Sequence, residues 1–168
     1  MGMMELWDKS PEDMEGEIDK DLPAGKYVLR YLRGTPKVTP SRDDPEKTEL
    51  NIYLQFSAVR PLEGNVTDFN PAAYETILHT FWDKDSAQFI RFLKATGWDG
   101  SMHPKEYLPT LVGCQFVADV TYTPNKKEGG KPYKNLRGLI PLSVFEERMA
   151  KLQGASVATS HGDSDDLE

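Results

Sequence analysis

The stretch Pro124 to Gly138, PNKKEGGKPYKNLRG, sets Lys126, Lys127, Lys131, Lys134 and Arg137 around one aromatic, Tyr133. Cations at this density attract phosphate, because the attraction is a sum over charges. An aromatic among them offers a flat face to an unpaired base, and such stacking is worth roughly 1–3 kcal/mol per base. The same pairing of types occurs earlier in the chain. Arg30, Tyr31 and Arg33 are close together, Lys37 follows, and Tyr53 falls on the polar side of an alternating segment. These eleven positions are the candidate nucleic-acid-binding residues. A solvated turn is the competing reading of the hairpin. Other aromatics are expected elsewhere: Tyr27 and Tyr122 share registers with apolar neighbours, Phe89 and Phe92 lie on an apolar helical stripe, and Trp82 and Trp98 flank that helix and pack against it.

Catalytic chemistry has no such concentration. His79, His103 and His161 are far apart, with no HxH or HExxH, and the single Cys114 cannot build a structural zinc site. The chain lacks GxxxxGK[ST], GxGxxG and GxSxG patterns. Gly129-Gly130-Lys131 lies in a hairpin rather than at a strand-to-helix turn, so it does not read as a phosphate loop. Carboxylate pairs such as Asp43-Asp44 and Glu146-Glu147 read as solvated surface. The expectation is a non-enzymatic protein with no cofactor and no metal.

The charge is divided along the chain. Its net value is -7, yet residues 1–21 hold eight acids against two bases, and residues 154–168 hold four acids and no Lys or Arg. Residues 22–153 carry eighteen bases against fifteen acids and are net positive. The overall acidity therefore says little about what the middle of the chain binds. Residues 1–21 are expected to be an acidic, disordered segment with a short helical piece near Met3 to Trp7. Residues 154–168 are expected to be a second acidic, disordered tail. No run of apolar residues is long enough for a membrane helix, and the lone cysteine fits a reducing compartment.

The elements that must position the candidate residues are mostly strands. Lys26 to Arg33 leaves a Leu22-Pro23-Ala24-Gly25 turn as a strand, continued over Thr35 to Thr39 after a bulge or bend at Gly34. Thr48 to Val59 alternates with period two: Leu50, Ile52, Leu54, Phe56 and Ala58 face one way, and Asn51, Tyr53, Gln55, Ser57 and Val59 the other. Thr76 to Trp82, Cys114 to Thr123 and Pro132 to Ile140 complete five strands. A helix begins at Asp85 or Ser86 and ends at Gly97. His103 to Val112 forms a short helix or turn, and a capping box at Ser143 to Glu146 starts a last helix over Val144 to Leu152. The fold class is mainly β with helices: about five antiparallel strands in an OB-like barrel, a helix between strands three and four, and a C-terminal helix. A generic antiparallel α+β domain fits the same pattern.

The order of these features resembles a family. Leu22-Pro23-Ala24-Gly25-Lys26-Tyr27 opens a strand, a helix ends in Lys94-Ala95-Thr96-Gly97, and Leu111-Val112-Gly113-Cys114-Gln115-Phe116 leads into a strand and a hairpin ending Lys134-Asn135. This order is similar to small bacteriophage single-stranded-DNA-binding proteins with an OB-fold, encoded among replication and recombination genes. The resemblance covers residues 22–142 and brings no catalytic residues. The acidic end, with Asp163, Asp165, Asp166, Leu167 and Glu168, is similar to the tails by which bacterial and phage single-strand-binding proteins recruit partners. It ends in Leu-Glu, where the bacterial tails end in a Pro-Phe-type apolar pair.

The sequence therefore leads to three expectations. The first is a sequence-tolerant single-stranded DNA-binding protein of the host cytoplasm, acting in phage replication or recombination. Its tail would recruit partner proteins or occupy the basic groove when DNA is absent. The second is a protein-binding adaptor acting through its acidic tails, and the third an inhibitor that mimics DNA. None involves a membrane. The oligomeric state is open, a homodimer included.

Overall fold

Period-two alternation carries most of the chain into five antiparallel strands, as a computed structural model shows. The structure describes residues 3–8, 10–14, 20–63 and 69–165, with residues 6, 13, 14 and 155–165 described by backbone alone. The strands are β1 (Gly25–Pro40), β2 (Thr48–Pro61), β3 (Ile77–Phe81), β4 (Gln115–Thr123) and β5 (Tyr133–Pro141). They form one sheet in the order β3-β2-β1-β4-β5. The helices are α1 (Met3–Trp7), α2 (Pro11–Met14), α3 (Ser86–Ala95), α4 (Pro104–Tyr107) and α5 (Leu142–Asp165), with a 3-10 turn over Leu108–Leu111.

One face of the sheet makes the core. Tyr27, Leu29 and Tyr31 of β1, Leu54, Phe56 and Ala58 of β2, Ile77 and Phe81 of β3, and Phe116, Ala118 and Val120 of β4 are all buried. Phe92 and Leu93 of α3, with Leu108 and Leu111, cover them. The rings interlock: Phe92 stacks on Phe116 at 5.6 Å, and Phe56 meets Phe116 edge-on at 5.6 Å. On the opposite face Val28 pairs with Val117, which pairs in turn with Ile140. Beside them the Lys26 ammonium stands 5.7 Å from the Phe145 ring of α5.

Several expected details move. The sheet is open: among the described residues no backbone pairing joins β3 to β5, so the barrel is not closed. The backbone just ahead of β3 is already engaged. Lys20 donates to the Ala73 carbonyl at 2.9 Å, and Glu75 donates back to Lys20 at 3.1 Å. The irregularity in β1 lies at Leu32 rather than Gly34, because the pairing with β2 steps from Tyr31–Phe56 to Arg33–Gln55. Gly34 has a different task. A Cβ there would lie 2.6 Å from the Tyr31 hydroxyl and 3.1 Å from Leu54, so only glycine lets the Tyr31 ring pass. Gly97 does end α3, adopting φ +106 and donating its N–H to Lys94 at 3.0 Å. α5 starts at Leu142, which puts Ser143 inside its first turn instead of at its cap, and runs beyond Leu152 to Asp165.

Pairing between β1 and β4 ends at Arg30–Gln115, whereas β1 and β2 stay paired out to Pro40–Thr48. The two strands thus project as a ribbon beyond the core. Consequently Leu50, expected inside, is 46% exposed. The β3 side of the ribbon is held by a reciprocal link. Leu50 donates its N–H to the Asp83 carboxylate at 3.0 Å, and Asp83 donates its own N–H to the Asn51 side chain at 2.9 Å. That link accounts for Asn51 being buried despite its amide.

Candidate nucleic-acid interface

The side chains turned away from the core decide what the sheet can bind. Across the β1–β2 ladder Arg33 lies opposite Gln55, Thr35 opposite Tyr53, and Lys37 opposite Asn51. Tyr53 therefore has Thr35 directly across from it, and Arg33 and Lys37 as its two diagonal neighbours, within reach of long side chains. On its other side Tyr53 pairs with Thr80 of β3, so Trp82 two residues on projects to the same face. Trp82 is 48% exposed and stands edge-on to Tyr53 at 6.3 Å. Arg33 donates to the Gln55 side-chain oxygen, and Gln55 donates to the Thr76 hydroxyl at 2.6 Å. This relay runs from β1 through β2 to Thr76, just ahead of β3. Arg30, opposite Ser57, is exposed on the same outward side.

The hairpin between β4 and β5 is held by its own asparagine. Asn125 accepts from the Lys127 N–H at 2.9 Å and donates to the Lys131 carbonyl at 3.2 Å. Lys126, Lys127 and Lys131 are exposed, as are Tyr133 and Arg137, the last lying opposite Asp119 in register. The hairpin meets the β1–β2–β3 face at the open seam. There Lys131 and Pro132 face Thr76 and Leu78 across a cleft of about 580 Å³. The Arg33–Gln55–Thr76 relay thus ends at the cleft that Lys131 lines.

Two candidates do not join this surface. Tyr31 is fully buried, packed edge-on to Phe56 at 5.7 Å, so its ring has no face for a base. Burial pushes its phenol up to about 12, and the hydroxyl has no hydrogen-bond partner among the described residues. The period-two pattern explains the misplacement: Tyr31 lies two residues beyond Leu29, on the core side. Lys134 is the second correction. It points across the seam, 2.9 Å from Glu75 and 3.2 Å from Asp21, with its side chain only 14% exposed. Burial alone would lower its pKa, but the bonds to Glu75 and Asp21 outweigh that and hold it above the ordinary lysine value. Asp21 is held below the usual carboxylate range by hydrogen bonding with Glu75 and Lys134.

Tyr27 and Phe92 are buried as expected, and Tyr122 is half-buried with its hydroxyl donated to the Leu22 carbonyl. Trp98 packs against the core and donates its indole N–H to Met102 at 2.7 Å. Trp82, expected to pack against the helix, lines a groove with Ser86 and Phe89 of α3 but stays 48% exposed and also stands beside Tyr53. The position of Trp82 two residues after Thr80 was the available signal. Asp163 and Asp165 belong to the backbone of α5, and Asp166, Leu167 and Glu168 lie outside the described residues. Among the described residues no cluster of His, Cys, Asp or Glu is placed to hold a metal ion, and no helix is long and apolar enough to cross a membrane. Comparison with protein-family models and with curated proteins finds no match to this chain.

Proposed function

We propose that the protein binds single-stranded DNA without strong sequence preference, on the face formed by β1, β2 and β3. The observation that carries this reading is the surround of Tyr53: two cations diagonal to it on β1 and the half-exposed Trp82 edge-on beside it. Two adjacent aromatics give stacking platforms for successive bases, and Arg33, Lys37 and Arg30 neutralise the backbone that joins them. The open five-stranded sheet is compatible with an OB-fold, which supports this reading. The OB-fold is a five-stranded, partly open barrel that binds oligonucleotides across its second and third strands and the loops after its first and fourth. Here Tyr53 lies on β2, Trp82 follows β3, and the lysine hairpin follows β4.

Within this reading the protein acts in replication or recombination, phage-encoded, as a coating protein and not as a catalyst. The experiment is a titration of labelled oligo(dT) at two salt concentrations. Salt-weakened binding that is reduced in the Tyr53→Ala and Trp82→Ala variants supports the proposal; no binding by the intact protein at low salt overturns it. An adaptor acting through acidic tails would be indifferent to both substitutions.

A further inference from the structure

At the end of the sheet away from the hairpin lies an apolar groove. The ribbon supplies Pro36, Leu50 and Ile52, and the opposite wall comes from Phe89, Leu108 and Val112. Its volume is about 610 Å³, within the range of roughly 300–1,000 Å³ typical of ligand sites. Val112 is 57% exposed and Leu50 is 46% exposed, so among the described residues these walls are left largely uncovered. Among the described residues, the charged groups lining the groove are Arg33 and Lys105 against the acid Asp83, with His103 beside them. Asp83 is already engaged by the Leu50 N–H, so the rim is net basic.

A matching apolar element is left equally uncovered. α1 carries Met3, Met4 and Trp7 at 73%, 88% and 82% exposure. Met3 and Trp7 are four residues apart and Met4 and Trp7 three, so all three share one helical face. Trp and Met are suited to docking: Trp is enriched among residues that dominate binding energy, and Met adapts to irregular pockets. Glu5 and Asp8 flank these residues, in a segment whose net charge is strongly negative. An amphipathic helix with i, i+3 and i+4 anchors entering an apolar groove is a recurrent mode of recognition.

We propose that the groove receives the Met3–Trp7 helix of a second copy of this chain. A second copy is favoured over the chain's own helix because, among the described residues, both surfaces stay exposed within one chain. The acidic helix also complements the basic rim. Plug and groove are different surfaces, so the contact either closes by reciprocal exchange between two copies or propagates head to tail. The groove shares Arg33 and Trp82 with the proposed nucleic-acid face, but self-association of the protein alone does not depend on that reading.

The test uses the full chain in sedimentation velocity over a range of concentrations. Trp7→Ala removes the plug and keeps the groove, whereas Leu50→Asp spoils the groove and keeps the plug. Val112→Asp serves as a second groove variant, and thermal melts confirm that each variant folds. The proposal expects the unaltered chain to self-associate as concentration rises, each variant alone to associate at least tenfold more weakly, and an equimolar mixture of Trp7→Ala with Leu50→Asp to form dimers and nothing larger. Three results would overturn it: a monomeric unaltered chain at every concentration, variants that associate as before, or a mixture that stays monomeric while the unaltered chain associates.

Discussion

Trp82 meets Tyr53 edge-on, with ring centroids 6.3 Å apart and planes at 76°. The contact leaves Trp82 half exposed, so packing alone does not account for its place on the sheet. If successive bases stack here, Tyr53→Ala and Trp82→Ala should each weaken oligo(dT) binding by roughly 1–3 kcal/mol. Because the rings touch, the double variant should lose less than the sum. Fluorescence anisotropy on the four proteins measures the cycle, and two effects near zero would remove both residues from the interface.

The hairpin lysines and Lys134 should behave differently. Lys126, Lys127 and Lys131 are exposed, whereas Lys134 is engaged by Asp21 and Glu75. Changing the first three to Glu should flatten the plot of log affinity against log salt by about 2, given a slope of roughly 0.7 per phosphate contact on single strands. Lys134→Met should leave that slope unchanged. It should instead lower stability by about 1 kcal/mol or less, since both carboxylates of the cluster are substantially solvated and screened. A Lys134 variant that changed the salt slope as the others do would refute this division.

Tyr31 and Gly34 should be energetically coupled. The Tyr31 hydroxyl is buried without a partner among the described residues and fills the place where a Cβ on residue 34 would go. Removing an unsatisfied buried hydroxyl relieves its desolvation penalty, so Tyr31→Phe should stabilise the fold by about 1 kcal/mol. Gly34→Ala should destabilise by roughly 1–3 kcal/mol through overpacking. The same glycine change should be milder in the Tyr31→Phe background. Urea denaturation of the four proteins gives the coupling, and strict additivity would contradict the contact.

Alkaline pH should expose the same tyrosine. Its folded pKa is pushed up to about 12 by burial, while an unfolded tyrosine ionises near about 10. Between these values the unfolded chain has lost a proton that the folded chain keeps. Stability contributed by the neutral phenol should therefore fall as pH rises from about 10 to 12. Thermal melts across this range should show the loss in the unaltered protein and a smaller one in Tyr31→Phe. At the acid end Asp21, with its pKa depressed, contributes stability that is present above the ordinary carboxylate pKa and lost as pH falls through its folded value.

Strand identity was legible in the chain because it depends on short-range alternation. Leu54, Phe56 and Ala58 are buried, and Tyr53 and Gln55 face outward, as period two requires. The helix ending at Gly97 was readable for the same local reason: a left-handed residue suits glycine. Closure of the sheet was not readable, since it turns on whether β3 pairs with β5, more than fifty residues further along the chain.

The candidate site divides along the same line. Its cations and aromatics, and the basic character of the middle of the chain, follow from composition and spacing alone. Which of them face solvent together does not. Lys134 read as one more hairpin cation until the fold brought Asp21 and Glu75 to it. Trp82 read as helix packing until the β2–β3 register put it beside Tyr53. Local pattern determines which way a side chain points from its own strand. Only the pairing of distant strands decides what it meets there, because those neighbours come from other parts of the chain.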